Sequence, residues 1–171
     1  TVEADMNRQH FEFEKSIRLN VTNETLDAHR VLVKWAVRKT DATILREEEQ
    51  WLEVPALSAV WMDKVELPQI DCFNEYVSYE AWENDQIISQ GTVIFSYPKY
   101  FHYLNPGLAV RVDGDEIVVK AEAYAKSVEI RNENDDLILE DNYFDINAGE
   151  YRVKILDGKP DGLKVRSVYD I

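Results

Sequence analysis

The sequence has a single cysteine, Cys72, so no disulfide can form within the chain. Proteins without disulfides are typical of reducing compartments, and we therefore expect a cytoplasmic location. The sequence also lacks a run of about 18 apolar residues and a signal-peptide core, so neither a membrane span nor a membrane partner is expected. It begins at Thr1 and not at a methionine, which indicates a piece of a longer protein.

Basic residues are scarce: 19 lysines and arginines stand against 33 acidic residues, for a net charge of −14. A chain with this excess of carboxylates repels a polyanion, and it has no basic patch that would bind phosphates. We therefore expect no nucleic-acid partner. The Gly-x-Ser-x-Gly motif, a phosphate-binding glycine-rich loop and the signature of an activated cysteine are also missing.

The residues that are present indicate a globular all-β protein, with 45% hydrophobic and 30% charged residues. In residues 30–39, Val31, Val33, Trp35 and Val37 share one face and Arg30, Lys34 and Arg38 the other, which is typical of a half-buried antiparallel strand. A tryptophan in the middle of such a strand resembles the core tryptophan of an immunoglobulin-like sandwich. We predict that Trp35 is buried in a core.

Short strands follow one another at intervals of about 8–12 residues, the spacing typical of β-sandwiches. Residues 41–50 have some helix propensity, but the segment is too short and too weakly amphipathic for a stable helix, so a turn followed by a strand at residues 44–53 is favoured. The fold class predicted is two immunoglobulin-like antiparallel β-sandwich domains in tandem. In the first half the predicted strands cover residues 15–25, 30–39, 44–53, 58–67, 75–83 and 87–97.

The segment Gly91–Gly107 separates the two series of strands. Pro98 cannot donate to a β-ladder, so pairing should stop there. Tyr100, Phe101 and Tyr103 follow within four residues, and we predict that these aromatic rings are buried in a joint between two domains. The predicted domains are residues 1–98 and residues 99–171. One continuous domain with an aromatic loop is the alternative.

Paired carboxylates are the first candidates for catalysis, because an Asn-Glu dipeptide carries the acid/base in retaining glycosidases. The dipeptide occurs at Asn23-Glu24, Asn74-Glu75 and Asn132-Glu133. All three fall at strand ends or turns, where asparagine and glutamate are common for solvation and local hydrogen bonds. We predict that none of them is catalytic.

Metal sites and a sugar-binding surface are the remaining candidates. The histidines, His10, His29 and His102, lack metal-ligand spacing to Cys72 and to one another. The run 132–136, Asn-Glu-Asn-Asp-Asp, has oxygen ligands that suit Ca²⁺ but lacks the spacing of an EF-hand loop, so a solvated turn is favoured. We expect no catalytic, cofactor-binding or metal-ligating residue and no cofactor. An aromatic surface that stacks on sugars is a further hypothesis, for which the candidates are Trp51, Trp61, Trp82 and the tyrosines.

Seven stretches of the sequence form a recognisable set: Val31–Trp35, Val54–Ala59, Tyr76–Glu80, Gly91–His102, Ile130–Asp135, Asp141–Asp145 and Ala148–Glu150. Together they resemble the C-terminal end of the β-mannosidases of glycoside hydrolase family 2. The resemblance covers most of the chain, and its motifs are strands and turns without catalytic groups.

The resemblance implies that the chain holds the last two immunoglobulin-like sandwiches of such an enzyme. The family hydrolyses terminal β-linked mannose with retention, by means of two glutamates on a (β/α)₈ barrel. A barrel needs about 250 residues with alternating helices, and this chain has neither. We therefore expect no enzyme activity from the chain, although the parent protein is expected to be a glycoside hydrolase acting on a β-mannoside or manno-oligosaccharide.

Two functions remain open. The first is a non-catalytic accessory pair whose partner is the catalytic barrel of the same protein, which it supports. The alternative is an independent carbohydrate-binding module. A binding module should carry a solvent-facing row of aromatic residues on one sheet, whereas an accessory pair should carry its aromatic residues at the joint or beneath the barrel.

Overall fold

The computed structural model describes residues 14–171, which form antiparallel sheets and two short 3-10 helices. This confirms the predicted all-β class. In the described residues no helix is long and apolar enough to cross a membrane. The strands of the first half are β1 (Ser16–Ile17), β2 (Asn20–Asn23), β3 (His29–Lys39), β4 (Ile44–Val54), β5 (Ser58–Trp61), β6 (Val65–Glu66), β7 (Glu75–Glu83) and β8 (Gln86–Ile94).

The first sandwich has a principal antiparallel sheet in the order β4-β3-β7-β8, with two smaller pairs, β1-β6 and β2-β5. Alternate residues of β3 enter a core shared by the strands of this half other than β8, and Trp35 is only 2% exposed, so its predicted burial is confirmed. The core consists of Ile17, Val31, Val33, Trp35, Val37, Leu52, Val54, Met62, Leu67, Ile70, Val77 and Phe95.

Two of the strands predicted in this half are divided in the structure, and a third is confirmed. The predicted strands at 15–25 and 58–67 are each divided in two, as β1 with β2 and β5 with β6. The segments between them still run side by side, because the Met62 N–H donates to the Leu19 carbonyl over 2.9 Å. Strand β4 confirms the strand favoured for residues 44–53. It lies at the edge of its sheet and is exposed on both faces up to Trp51, and its charges protect that edge from pairing with another chain.

The second half contains β9 (Ala109–Asp113), β10 (Glu116–Ala121), β11 (Ala125–Arg131), β12 (Ile138–Leu139), β13 (Phe144–Ile146), β14 (Gly149–Asp157) and β15 (Lys164–Arg166). One sheet has the order β12-β14-β10-β9 and the other β13-β11-β15. Their shared core consists of Ile117, Val119, Ala121, Ala125, Val128, Ile130, Phe144, Ile146 and Val153. A second sandwich therefore follows the first, as predicted.

The connection between the sandwiches departs from the prediction in two respects. Strand β8 ends at Ile94 and not at Tyr97, because the chain bends at residues 95–96 and places Phe95 in the core at 4% exposure. A 3-10 helix, Pro98–Tyr100, then begins at the proline. The expectation that Tyr100 is buried in the joint is wrong: its ring is 52% exposed on this helix, beside Tyr97.

Candidate functional site: the junction and the outer face of the first sandwich

The two sandwiches meet at an aromatic cluster, called here the junction cluster, of Tyr76, Phe101 and Tyr124 with Ile94 and Tyr103 packed against it. Tyr76 comes from β7, Phe101 from the connection, and Tyr124 from the turn between β10 and β11. The rings of Tyr76 and Tyr124 stack at 3.8 Å, and Phe101 meets Tyr124 edge-on at 6.1 Å. The joint is therefore buried, and both sandwiches contribute to it.

Polar contacts surround the junction cluster and fix its orientation. The Tyr76 hydroxyl donates to Asn147 Oδ1 over 2.6 Å, and the Tyr124 hydroxyl lies 2.6 Å from Thr92 Oγ1. The Tyr124 N–H donates to the Thr40 carbonyl over 3.0 Å. Because buried hydroxyls need partners, these bonds set how one sandwich can sit on the other.

Burial also changes the acid–base behaviour of the junction. It raises the pKa of Tyr103 to about 12, and raises the pKa values of Tyr76 and Tyr124 further above the usual range of a phenol. A phenol is neutral at physiological pH in any case, and burial extends the neutral state of these three groups to more alkaline pH.

A second buried polar group, which the sequence did not reveal, is Glu129 on β11. Its side chain is 4% exposed and accepts hydrogen bonds from Arg166, from Tyr143 Oη at 2.6 Å and from Arg131 Nε at 2.8 Å. The hydrogen bond from Arg166 is the main reason that the pKa of Glu129 falls to about 2. This group holds β11 to β15 and to the residues before β13.

Acid should therefore weaken the second sandwich through Glu129. With a folded pKa of about 2 against 4.5 for the free carboxyl, the stabilisation is present above pH 4.5 and is lost as pH falls towards 2. We expect Glu129→Gln to lower stability at pH 7 and to flatten this decline, measured as the urea midpoint at each pH. If the urea midpoint fell equally with pH in the wild type and the variant, Glu129 would not be the cause of the acid destabilisation.

The face of the principal sheet that points away from the core is covered by the second sandwich at one end only. Tyr76 and Ile94 lie in that covered row, where they face Arg38 of β3. At the opposite end an apolar row, called here the outer strip, crosses the four strands. It consists of Trp51, Leu32, Trp82 and Ile87.

The outer strip is open in the described structure. Trp51 is 53% and Ile87 is 42% exposed, while Leu32 and Trp82 are half-buried. Between the strip and the covered end lies a groove of about 360 Å³ with charged walls, formed by Lys34, Arg38, Glu47, Glu49 and Glu80 among others. The same sheet face thus carries an occupied apolar end, a charged groove and an unoccupied apolar end.

The structure places the tryptophans of the sugar-surface hypothesis on two different sheets. Trp51 and Trp82 share the outer strip, whereas Trp61 lies on β5. A cation covers one face of each ring: Arg30 lies 4.4 Å from Trp51, Lys34 lies 5.3 Å from Trp82 and Arg18 lies 5.0 Å from Trp61. The three rings therefore do not form one free stacking row.

The three Asn-Glu dipeptides lie on separate segments of the fold, and their asparagines make structural hydrogen bonds. Asn23 is 7% exposed and donates to the Val54 and Pro55 carbonyls, at 3.2 and 2.9 Å. Asn74 donates to Asp71 Oδ2 over 2.7 Å, and Asn132 donates to the Lys159 carbonyl over 2.9 Å. The structure brings none of these dipeptides together with another, so it offers no pair of catalytic carboxylates from them.

The histidines and the acidic run 132–136 also have structural partners. The two ring nitrogens of His29 contact Glu83 at 2.6 Å and Thr25 at 2.7 Å, and His102 contacts Asn74 at 3.0 Å. Asn132 closes the run as a turn, because its Oδ1 accepts from the Asp136 N–H over 3.2 Å. His10 lies outside the described residues. Within residues 14–171 no group of His, Cys, Asp and Glu has the arrangement of a metal site.

The fold and the junction define a tandem pair of immunoglobulin-like sandwiches. Residues 15–100 match the family model described as "Mannosidase Ig/CBM-like domain", and residues 103–171 match the one described as "Ig-fold domain". The chain belongs to the mannosidase Ig/CBM-like domain family. The predicted resemblance to the accessory immunoglobulin-like domains of mannosidase-type glycoside hydrolases is thus confirmed, while no curated protein matches the sequence.

Solved structures of glycosidases contain a similar fold. β-D-Mannosidase from Dictyoglomus thermophilum superposes with a TM-score of 0.72 at 17% identity, over 90% of this chain and 20% of that one. The exo-chitosanase CsxA of Amycolatopsis orientalis gives 0.60 at 12% identity, over 90% and 26% of the two chains. A structure of the exo-β-D-glucosaminidase CsxA with inhibitors gives 0.57 at 13% identity, with the same coverage. The chain therefore spans only 20–26% of the length of the glycosidase chains that it resembles.

Proposed function

We propose that the chain is a non-catalytic accessory pair of a β-mannosidase, which packs on the catalytic barrel of that enzyme and supports it. The parent would hydrolyse terminal β-D-mannose residues with retention, through two carboxylates that lie on the barrel. In this proposal residues 1–98 and 99–171 are the two domains, and neither supplies a catalytic, cofactor-binding or metal-ligating residue. The free thiol of Cys72 fits a cytoplasmic protein.

The observation that carries this proposal is the outer strip. An apolar row of this kind, on a sheet face already partly covered by another domain, is typical of a surface that contacts protein. Glutamates line the groove beside it, so a partner surface with basic residues fits this face best. The rest of the enzyme is the partner that the similarity to much longer glycosidases supports.

The junction cluster adds a mechanical role. Contacts between domains of one chain are usually modest and polar, so relative motion is the default. Here three buried rings and the hydrogen bonds around them oppose that motion. The pair would therefore act as a rigid bracket, which fixes the position of the second sandwich relative to the barrel.

The alternative, an independent carbohydrate-binding module, predicts that an outer tryptophan face is free to stack on sugar. The cations over Trp51, Trp61 and Trp82 oppose it, since a ligand would have to displace an arginine or lysine from whichever covered face it used. The accessory role is therefore the better supported of the two.

Two substitutions of tryptophan by glutamate, each made in the longer enzyme, test the proposal. Trp51→Glu should shorten the thermal half-life of its β-mannosidase activity by roughly tenfold or more, since buried interface tryptophans often contribute 2 kcal/mol or more. Trp61→Glu is the matched control, because Trp61 is 54% exposed and also lies beneath an arginine, but on another sheet. Its half-life should stay within about twofold of the wild type.

Equal half-lives for both variants and the wild type would contradict packing through the outer strip. The isolated 171-residue chain should also leave a nitrophenyl β-mannoside uncleaved, at the level of a heat-denatured control, and should not be retained on soluble mannan through the outer strip. Retention that Trp51→Glu abolishes would favour the carbohydrate-binding module.

A further inference from the structure

A second cavity, called here the junction cleft, lies beside the junction cluster where β8 of the first sandwich packs against β13 of the second. Its volume is about 320 Å³, the lower end of the size range of small-molecule sites. Tyr79, Gln90, Gly91 and Thr92 of the first sandwich line one wall. The other wall belongs to the second sandwich and includes Lys126, Ser127, Asp141, Tyr143, Asp145 and Tyr151.

Tyr79 presents an unused hydroxyl to the junction cleft. Gly91 stands opposite Tyr79 in the β7–β8 ladder, and a Cβ at Gly91 would lie 2.5 Å from the Tyr79 hydroxyl oxygen. Only a glycine leaves room for the ring to lie over the edge strand in this way. Among residues 14–171 the Tyr79 hydroxyl has no hydrogen-bond partner, so it can both donate to and accept from a ligand.

Charged groups with spare hydrogen-bonding capacity line the wall of the cleft that belongs to the second sandwich. The Lys126 ammonium donates one hydrogen bond to Asp145 Oδ2 over 2.9 Å and has further N–H donors available. Asp141 accepts from the Tyr151 hydroxyl over 2.9 Å and keeps other lone pairs. The cleft thus offers phenol, ammonium and carboxylate groups within one small volume, a set that can bind several hydroxyls of one ligand.

Strained backbone supports the second wall. Ser127 and Tyr143 have φ values of 51° and 63°, in the left-handed region that bulky side chains rarely adopt. The Ser127 N–H donates to Asp145 Oδ1 over 2.8 Å, which holds the bulge of β11 in place. Tyr143 lines the cleft and is 60% exposed, while its hydroxyl donates to Glu129 Oε1 over 2.6 Å. Such strain is concentrated at functional sites.

We propose that the junction cleft binds a neutral saccharide, with the Tyr143 ring stacked on its C–H surface and Tyr79, Lys126 and Asp141 bound to its hydroxyls. Asp141 and Asp145 outnumber Lys126, so the cleft should repel uronic acids and sulfated sugars. The inference does not depend on which glycoside the longer protein hydrolyses, because it rests on the walls of this cleft alone.

The test is an NMR titration of the 171-residue chain with β-1,4-mannobiose, and with glucuronate at matched ionic strength. Mannobiose should shift the backbone signals of Asp141 and Tyr143 saturably, with a Kd of about 1–10 mM, while glucuronate should not. Tyr143→Ala should weaken binding by roughly tenfold, the effect of losing one aromatic stacking contact. Tyr169→Ala, which removes an exposed tyrosine elsewhere in the same sandwich, should leave the Kd unchanged.

A glycine variant separates binding from folding. Tyr143→Gly suits the positive φ, and Glu129 keeps Arg131 and Arg166 when it loses the Tyr143 hydroxyl, so we expect a folded protein by its NMR spectrum together with the same loss of mannobiose binding. Unchanged affinity in that variant would overturn the proposal. So would the absence of saturable shifts up to about 50 mM mannobiose, equal binding of glucuronate, or shifts confined to the outer strip.

Discussion

Tyr124→Ala is expected to have the largest effect of any single substitution at the junction, a loss of about 3–5 kcal/mol in the free energy of unfolding. The ring is 1% exposed, stacks on Tyr76 at 3.8 Å and meets Phe101 edge-on. Its removal leaves a cavity between the sandwiches and takes the hydroxyl partner from Thr92. Urea unfolding at equilibrium measures the loss.

The same variant should also change the form of the transition. In the wild type the junction cluster couples the two sandwiches, so they should unfold together. Without Tyr124 the first sandwich keeps its own core, and unfolding should separate into two steps. Tyr169→Ala is a suitable control, since Tyr169 is 45% exposed and its loss should cost no more than about 0.5 kcal/mol. A Tyr124→Ala protein that still unfolds in one step would show that the coupling lies elsewhere.

Trp35→Ala is expected to cost a similar amount, about 3–5 kcal/mol, for a different reason. Trp35 lies inside the first sandwich at 2% exposure, with the Arg46 guanidinium 5.0 Å from its ring, and it does not belong to the junction cluster. The cavity should weaken the first sandwich and leave the contact surface of the second intact. Chemical denaturation followed by circular dichroism measures this loss.

Trp61→Ala serves as the control for Trp35, because it removes an equally large ring that is 54% exposed. It should lower the free energy of unfolding by less than about 1 kcal/mol. A loss of that small size for Trp35→Ala itself would contradict the core position of Trp35 and would revive the sugar-surface hypothesis for this residue.

The two sandwich cores could be predicted from the sequence because alternation along a strand records which face is buried. Trp35 and its valine neighbours on β3 show the pattern plainly, and the charged strand β4 was favoured because residues 41–50 are too short and too weakly amphipathic for a stable helix. Alternation does not predict the burial of Tyr76. Alternation places it on the outward face of β7, with Ser78 and Glu80, yet it is fully buried because the second sandwich covers that end of the sheet.

The candidate sites were less predictable, since they depend on contacts between distant segments. Tyr100 was expected in the joint with Phe101, but the 3-10 helix after Pro98 turns its ring outward. The junction cleft depends on a positive φ at Tyr143 and on the lack of a side chain at Gly91. Glycine in a strand did offer a signal, because such a residue often marks close approach of another group.

Calorimetry of the isolated 171-residue chain tests the central claim, that the junction cluster makes the two sandwiches one rigid body. A single rigid body predicts one heat-absorption peak, with a calorimetric enthalpy equal to the van't Hoff enthalpy. It also predicts resistance to proteolysis between Pro98 and Pro106 below the melting temperature, since Phe101 and Pro106 are buried there. Two well-separated peaks, together with cleavage in that segment of the native chain, would contradict it.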